Sequence, residues 1–269
     1  AAIERWRDLE DVAIMRRKVL QFFFHRQWKA LKSYANAHGV AIVGDIPIFV
    51  AHDSVDAWSN TGILKIGEDG TMEASSGVPP DAFSATGQLW GNPVYDWDAL
   101  EKDSFAWWVR RLAYQFEQTD IVRIDHFRGF EAYWEVPAGH KTAEHGTWVK
   151  APGARFFDVL RTRFSTLPVI AEDLGVITGE VEALRDENGF PGMKIAQFAF
   201  DMLRPGKLDP SNAYLPHNYP ELCVAYTGTH DNDTTRGWYD HLDSAMKDLV
   251  RRYLSCSDEG VVWHLMRAI

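Results

Sequence analysis

Cysteine is scarce: only Cys223 and Cys256 occur in 269 residues. Two isolated thiols without metal-ligand spacing exclude a disulfide scaffold and fit a reducing cytoplasm, the expected location. No run of about 20 apolar residues occurs, so no membrane span is expected. Basic residues are outnumbered, 28 Lys and Arg against 38 Asp and Glu, for a formal charge of −10. With no basic patch to offset that balance, nucleic acid and anionic membranes are not expected partners. No signal-peptide pattern, internal repeat or low-complexity tract is visible. What the chain does hold is aromatic: 11 Trp and 9 Tyr. Flat rings suit the apolar faces of sugars, although most aromatics in any protein are simply core.

Hydrophobic periodicity organises the rest. Leu20, Phe23, Phe24, Trp28, Leu31 and Ala35 follow helical spacing, and Gly39 supplies a stop. Val40–Val43 then reads as a buried strand ending at Gly44-Asp45. The alternation recurs: a helix face of Phe105, Trp108, Val109, Leu112, Ala113 and Phe116 behind an Asp103-Ser104 cap precedes the strand Ile121–Asp125. Phe156, Phe157, Leu160 and Phe164 precede Val169–Glu172, and a helix around Val181 and Leu184 precedes Met193–Phe198. Leu222–Tyr226 leads to Thr229-His230-Asp231, and Met246 to Leu254 form a last helix. Apolar strands alternating with amphipathic helices predict an α/β fold of the (β/α)8 TIM-barrel type. Five of the eight strands of a closed barrel are read, so residues 1–269 are taken as a catalytic barrel portion. Residues 59–97 break the rhythm. Rich in Gly, Pro, Ser and Asp, they read as an inserted loop or lid over the site, with a surface subdomain as the alternative.

Three acids stand at three strand ends: Asp125, Glu172 and Asp231. In a barrel those ends gather at the face that carries the active site. Cleaving a glycosidic bond with retention needs an ionised nucleophilic carboxylate and a second carboxyl that keeps its proton, about 5–5.5 Å apart. Arg123, two residues before Asp125, shares its face of the strand and would hold it ionised. Glu172 follows an apolar run, where desolvation would raise its pKa. Any one of these acids also fits an ion-pair or capping role; the set carries the inference. Metal ligation by His230-Asp231 is not expected, because adjacent strand positions point to opposite sides.

Long motifs then make the chain recognisable. They are Gly44-Asp45-Ile46-Pro47-Ile48-Phe49-Val50, Gly77-Val78-Pro79-Pro80-Asp81-Ala82-Phe83-Ser84 through Gly91-Asn92-Pro93, Arg123-Ile124-Asp125-His126-Phe127-Arg128-Gly129, Ala171-Glu172-Asp173-Leu174-Gly175 and Gly228-Thr229-His230-Asp231-Asn232-Asp233-Thr234. In this order they resemble the amylomaltase, or disproportionating-enzyme, family of 4-α-glucanotransferases, glycoside hydrolase family 77. Relatives in the wider α-amylase clan usually follow the first-motif Asp with Asn-His, whereas Asp45 here precedes Ile-Pro-Ile. The resemblance implies Asp125 as nucleophile, Glu172 as acid/base, and Asp231 gripping sugar hydroxyls at the cleavage subsite. It implies Asp45, Arg123, His126 and His230 around the same glucose. Residues 79–90 would form a lid in which Asp81, Phe83 and Trp90 serve substrate binding. The implied substrates are α-1,4-glucans and maltooligosaccharides, and the mechanism needs no cofactor. Three acids do not separate transfer from hydrolysis, so an α-amylase-like hydrolase is the runner-up. A non-catalytic glucan-binding barrel is the alternative of a different class.

Overall fold

The computed structural model describes residues 2–81, 84–200 and 207–269. Helices α1 (Ala2–Leu9) and α2 (Asp11–Ala37) precede β1 (Val43–Pro47), followed by α3 (Val55–Ser59), β2 (Ala74–Val78), β3 (Gln88–Pro93), α4 (Trp97–Lys102) and α5 (Ala106–Gln118). Next come β4 (Ile121–Asp125), β5 (Ala132–Pro137), β6 (Thr147–Lys150), α6 (Gly153–Arg163), β7 (Val169–Ala171), α7 (Gly179–Glu187) and β8 (Gly192–Ile195). The chain ends with β9 (Cys223–Tyr226), α8 (Thr235–His241), α9 (Ser244–Leu254) and α10 (Val261–Ala268).

The five strands expected from periodicity form a parallel arc. β1, β4 and β7 make one sheet and β8 and β9 another, all pairs parallel. The Ala171 N–H donates to the Pro191 carbonyl at 2.9 Å and joins the two pieces. Helices α5 and α6 connect successive strands, as parallel pairing requires. This is the mixed α/β architecture of an incomplete barrel of the TIM type.

Three expectations need correction. The first strand lies three residues later than read, so Asp45 sits mid-strand opposite Arg123 rather than at the strand end. It is also an edge strand with Val43 half exposed, not a buried one. Helix α2 runs well beyond its expected apolar core, and its Leu20, Phe23, Phe24 and Leu31 face solvent. Among the described residues no residue of α2 is buried. Residues 59–97 are not simply a loop, because they contain β2 and β3. These strands join β5 and β6 in an antiparallel sheet of order β3-β2-β5-β6. Ala74-Ser75-Ser76-Gly77 shows no strand propensity, and these four buried residues are fixed by pairing on both sides. At the base of the β2–β3 connection Gly87 has φ +67°, and a Cβ there would stand 2.4 Å from the Val78 carbonyl. Only glycine fits so close an approach.

Aromatic rings weld the arc to its helices. Trp97, Phe105, Trp108, Phe130 and Phe156 are buried together, with Phe130 and Phe156 stacked at 4.8 Å. Each such side chain contributes roughly 1.5–3 kcal/mol through removal from water. Phe127 and Phe130 belong to the 3-10 turn directly after Asp125. The core thus anchors the loop that carries the first acid.

Candidate active site

A cavity of about 590 Å³ opens at the C-terminal ends of β4 and β7, beside the antiparallel sheet. Its walls include Asp81, Trp90, Arg123, Asp125, His126, Glu172 and Asp231. These are seven of the residues singled out in the sequence. Asp45 and His230 instead line an adjoining depression that shares Arg123. Phe83 lies outside the described residues.

Arg123 organises the acids. One guanidinium nitrogen donates to Asp45 Oδ1 and another to Asp125 Oδ1, both at 2.7 Å. Burial works against the charged guanidinium, but the two carboxylates hold it charged and raise its pKa. The expected contact to Asp125 is therefore present, yet its effect is outweighed. Burial, with the negative charges of Asp45 and Asp231, lifts the Asp125 carboxyl above its ordinary value against the pull of Arg123.

Glu172 follows the fully buried strand β7. Its Oε2 accepts the His126 N–H at 2.7 Å and its Oε1 the Leu174 N–H at 2.9 Å. The first bond depends on a left-handed backbone at His126, φ +54°. Such a conformation is uncommon for a non-glycine residue and is held here by the packed turn that follows it. Burial raises the Glu172 carboxyl to about 7, with the neighbouring Asp125 charge adding to it and the two N–H donors opposing. The next residue, Asp173, turns the other way: it accepts the Met193 N–H at 2.7 Å and pairs with Arg185.

His126 is buried, its ring edge-on to Trp90 at a centroid distance of 4.7 Å. Burial, aided by Arg128, depresses the imidazole to about 3, so it is neutral. Its buried Nε2 has no protein partner. Asp81 accepts the Ser84 N–H at the cavity rim.

His230 and Asp231 lie in a turn after β9, not on a strand, and their side chains are 3.4 Å apart. The premise of alternating strand faces therefore does not apply to them. The turn is fixed elsewhere: Asn232 Oδ1 accepts the Thr229 N–H, and Gln197 donates to the Asp233 carbonyl. A side chain at Gly228 would collide with Gln197. Among the described residues no group of three His, Cys, Asp or Glu side chains is placed to hold a metal ion.

Arg128 and Trp148 are among the wall residues to which the sequence reading gave no role. Arg128 stood inside a quoted motif without a role, and Trp148 stood in none. A short strand after Gly146 offers no periodicity, so only their meeting across the fold reveals them.

Acids gathered at strand ends around an arginine, one ionisable near neutrality, place the molecule among barrel-type proteins with a paired-carboxylate site. The comparisons narrow that class. The profile of the family described as 4-alpha-glucanotransferase matches residues 1–269. The 4-alpha-glucanotransferase of Synechocystis is 52% identical over 99% of this chain and 52% of its own length. That of Thermus thermophilus is 52% identical over 91% of this chain and 50% of its own. The solved structure of an amylomaltase from Streptococcus agalactiae in complex with acarbose superposes with a TM-score of 0.93 at 39% identity, covering 99% of this chain and 53% of that one. The chain belongs to the 4-alpha-glucanotransferase family. It spans about half the length of the relatives it matches.

Proposed function

We propose that the complete protein bearing this chain transfers α-1,4-glucan segments between maltooligosaccharides by retaining double displacement. The observation that carries the reading is a partly buried carboxyl, Glu172, held by two backbone N–H groups and facing the same cavity as the arginine-bound carboxylate of Asp125. Glu172 protonates the glycosidic oxygen while Asp125 attacks the anomeric carbon. The carbon–oxygen bond breaks, the reducing-end piece leaves with the proton, and a glucosyl ester forms on Asp125. Glu172, now a carboxylate, takes the proton of an acceptor 4-hydroxyl. That oxygen attacks the anomeric carbon and releases Asp125. Two inversions give net retention.

Asp231 lies across the cavity as acceptor for sugar hydroxyls. His126, neutral and with a free Nε2, offers a hydrogen bond to the same ring; Asp45 completes the shell through Arg123, and His230 does so beside Asp231. The β2–β3 connection within 59–97 serves as cover on the acceptor side. Its Pro79 and Asp81 line the cavity, with Val78 at the end of β2 and Gln88 and Trp90 of β3 beside them. Cover that excludes water favours a sugar acceptor by positioning. Among the described residues no helix is long and apolar enough to cross a membrane. The cytoplasm is the proposed location.

Incubation of the complete protein with maltotriose tests the reading. A ladder of longer and shorter maltooligosaccharides at constant reducing-end count is expected. A rising reducing-end count would replace transferase with hydrolase, and binding without turnover would leave a non-catalytic glucan-binding protein. Asp125→Asn is expected to abolish the ladder while the variant still binds maltooligosaccharide.

A further inference from the structure

Trp148 has a placement that the chemistry above does not use. It lies on β6, at the edge of the antiparallel sheet opposite β3, which carries Trp90. Three strand spacings separate the two, about 14 Å at the usual interval between strands. Both tryptophans line the same cavity. Between them runs the loop after Asp125: His126 meets Trp90, and Arg128 meets Trp148.

The indole of Trp148 is clamped. The guanidinium carbon of buried Arg128 lies 3.8 Å from its ring centroid. Trp134, its cross-strand partner, packs edge-on at 5.2 Å and is itself tied to the Ala143 carbonyl. Arg128 also donates to the carbonyls of Ala132 and Val176, so it links the ring to the loop beyond Glu172. Yet 41% of Trp148 stays exposed. The ring thus has a buried cation against one face, a tryptophan at its edge, and a part that lines the cavity.

We propose that Trp148 is a stacking platform for a glucose unit of the bound glucan, remote from the scissile bond and at the opposite end of the cavity from Trp90. The inference rests on the glucanotransferase reading. The apolar C–H face of a glucose ring would lie on the indole, as sugar rings do on aromatic surfaces. The clamp orders the ring before binding, so little side-chain freedom is lost when sugar arrives. Contact with a remote unit supplies binding energy that only a long enough chain can reach. Trp148 is thus a determinant of chain-length preference and not a catalytic residue.

The test compares kcat/KM for maltotriose and maltoheptaose in the complete protein and in Trp148→Phe, Trp148→Leu and Trp148→Ala. Losses of about tenfold with maltoheptaose are expected for Leu and Ala, the scale of one aromatic contact. With maltotriose the loss is expected to stay under about threefold, and Phe is expected to retain most activity on both sugars. Leu keeps apolar bulk over Arg128 without a flat face, so it separates stacking from packing. Full rescue by Leu, or equal losses on both sugars, overturns the platform. If Ala does not fold, the Phe and Leu pair decides by the same criterion. Wild-type protein inactive on both sugars would instead remove the glucanotransferase reading. A wild-type ladder with unaltered variants would remove the platform alone.

Discussion

At Glu172 two demands meet in one side chain. Its carboxyl must hold a proton near neutrality, yet both oxygens accept backbone N–H groups, which favour the charged form. Burial wins, and the group sits at about 7. Activity that needs the protonated acid is therefore expected to fall as pH rises through about 7, and that limb should vanish in single-turnover assays with a donor whose leaving group needs no proton. Stability carries the same signature. A carboxyl whose folded pKa lies above its unfolded value of about 4.5 favours folding when protonated. That contribution is intact below about pH 4.5 and is lost as pH rises through about 7. Glu172→Gln does not titrate, but its amide leaves one N–H donor facing another, a cost independent of pH. Denaturant titrations of both proteins from pH 4 to pH 8 separate the two effects. The wild type is expected to lose stability relative to the variant across that range, and a constant difference would refute the raised pKa. The acids and Arg123 were legible in the sequence because long motifs hold them. The sign of the Asp125 shift was not, since it depends on burial and, after it, on Asp45 and Asp231, brought near only by folding.

At the scale of elements, the loop after β7 is held from behind as firmly as from the front. Asp173 is buried, paired with Arg185 of α7 and accepting the Met193 N–H at the start of β8. One residue along, Glu172 faces the cavity. Asp173→Ala removes a partner from a largely buried cation and orphans a backbone N–H, and is expected to cost about 3–5 kcal/mol. Urea unfolding would measure it, and a change under about 1 kcal/mol would mean that water replaces the carboxylate. The helix contacts invite a second test. Lys32 of α2 reaches the carbonyls of Phe116, Glu117 and Thr119 at the C-terminal end of α5, where a cation is favoured. Lys32→Met is expected to cost about 1 kcal/mol and to raise amide exchange along α2; unchanged exchange would place its docking in Trp28 and its bond to the Gln118 carbonyl. Elements with their own period, such as α5, α6 and the parallel strands, could be read from sequence. The sheet of β2, β3, β5 and β6 could not. Ser75, Ser76 and Gly77 are made strand by neighbours far along the chain, and no local pattern announces that.

For the whole molecule the decisive quantity is unpaired surface. Edge strand β1 carries half-exposed Val43, and α2 presents Leu20, Phe22, Phe23 and Phe24 to solvent. Among the described residues β9 pairs with β8 alone, so the arc has an open edge on that side as well. Open parallel edges recruit other strands, and an apolar stripe of this size recruits other apolar faces. The formal charge of −10 opposes association, but salt screens it beyond about a Debye length, roughly 8 Å at physiological ionic strength. The 269-residue chain by itself is therefore expected to self-associate, and more so as salt is raised. Light scattering during size-exclusion chromatography at low and high salt checks this. Paired charges at the edge and on the stripe, Val43→Lys with Phe23→Glu, are expected to shift the chain toward monomer without changing its circular dichroism. If it remains monomeric at micromolar concentration in high salt, the exposed edges are protected by twist and bulk alone. The arc would then be a folding unit in its own right, able to form its parallel strands before any further strand is added.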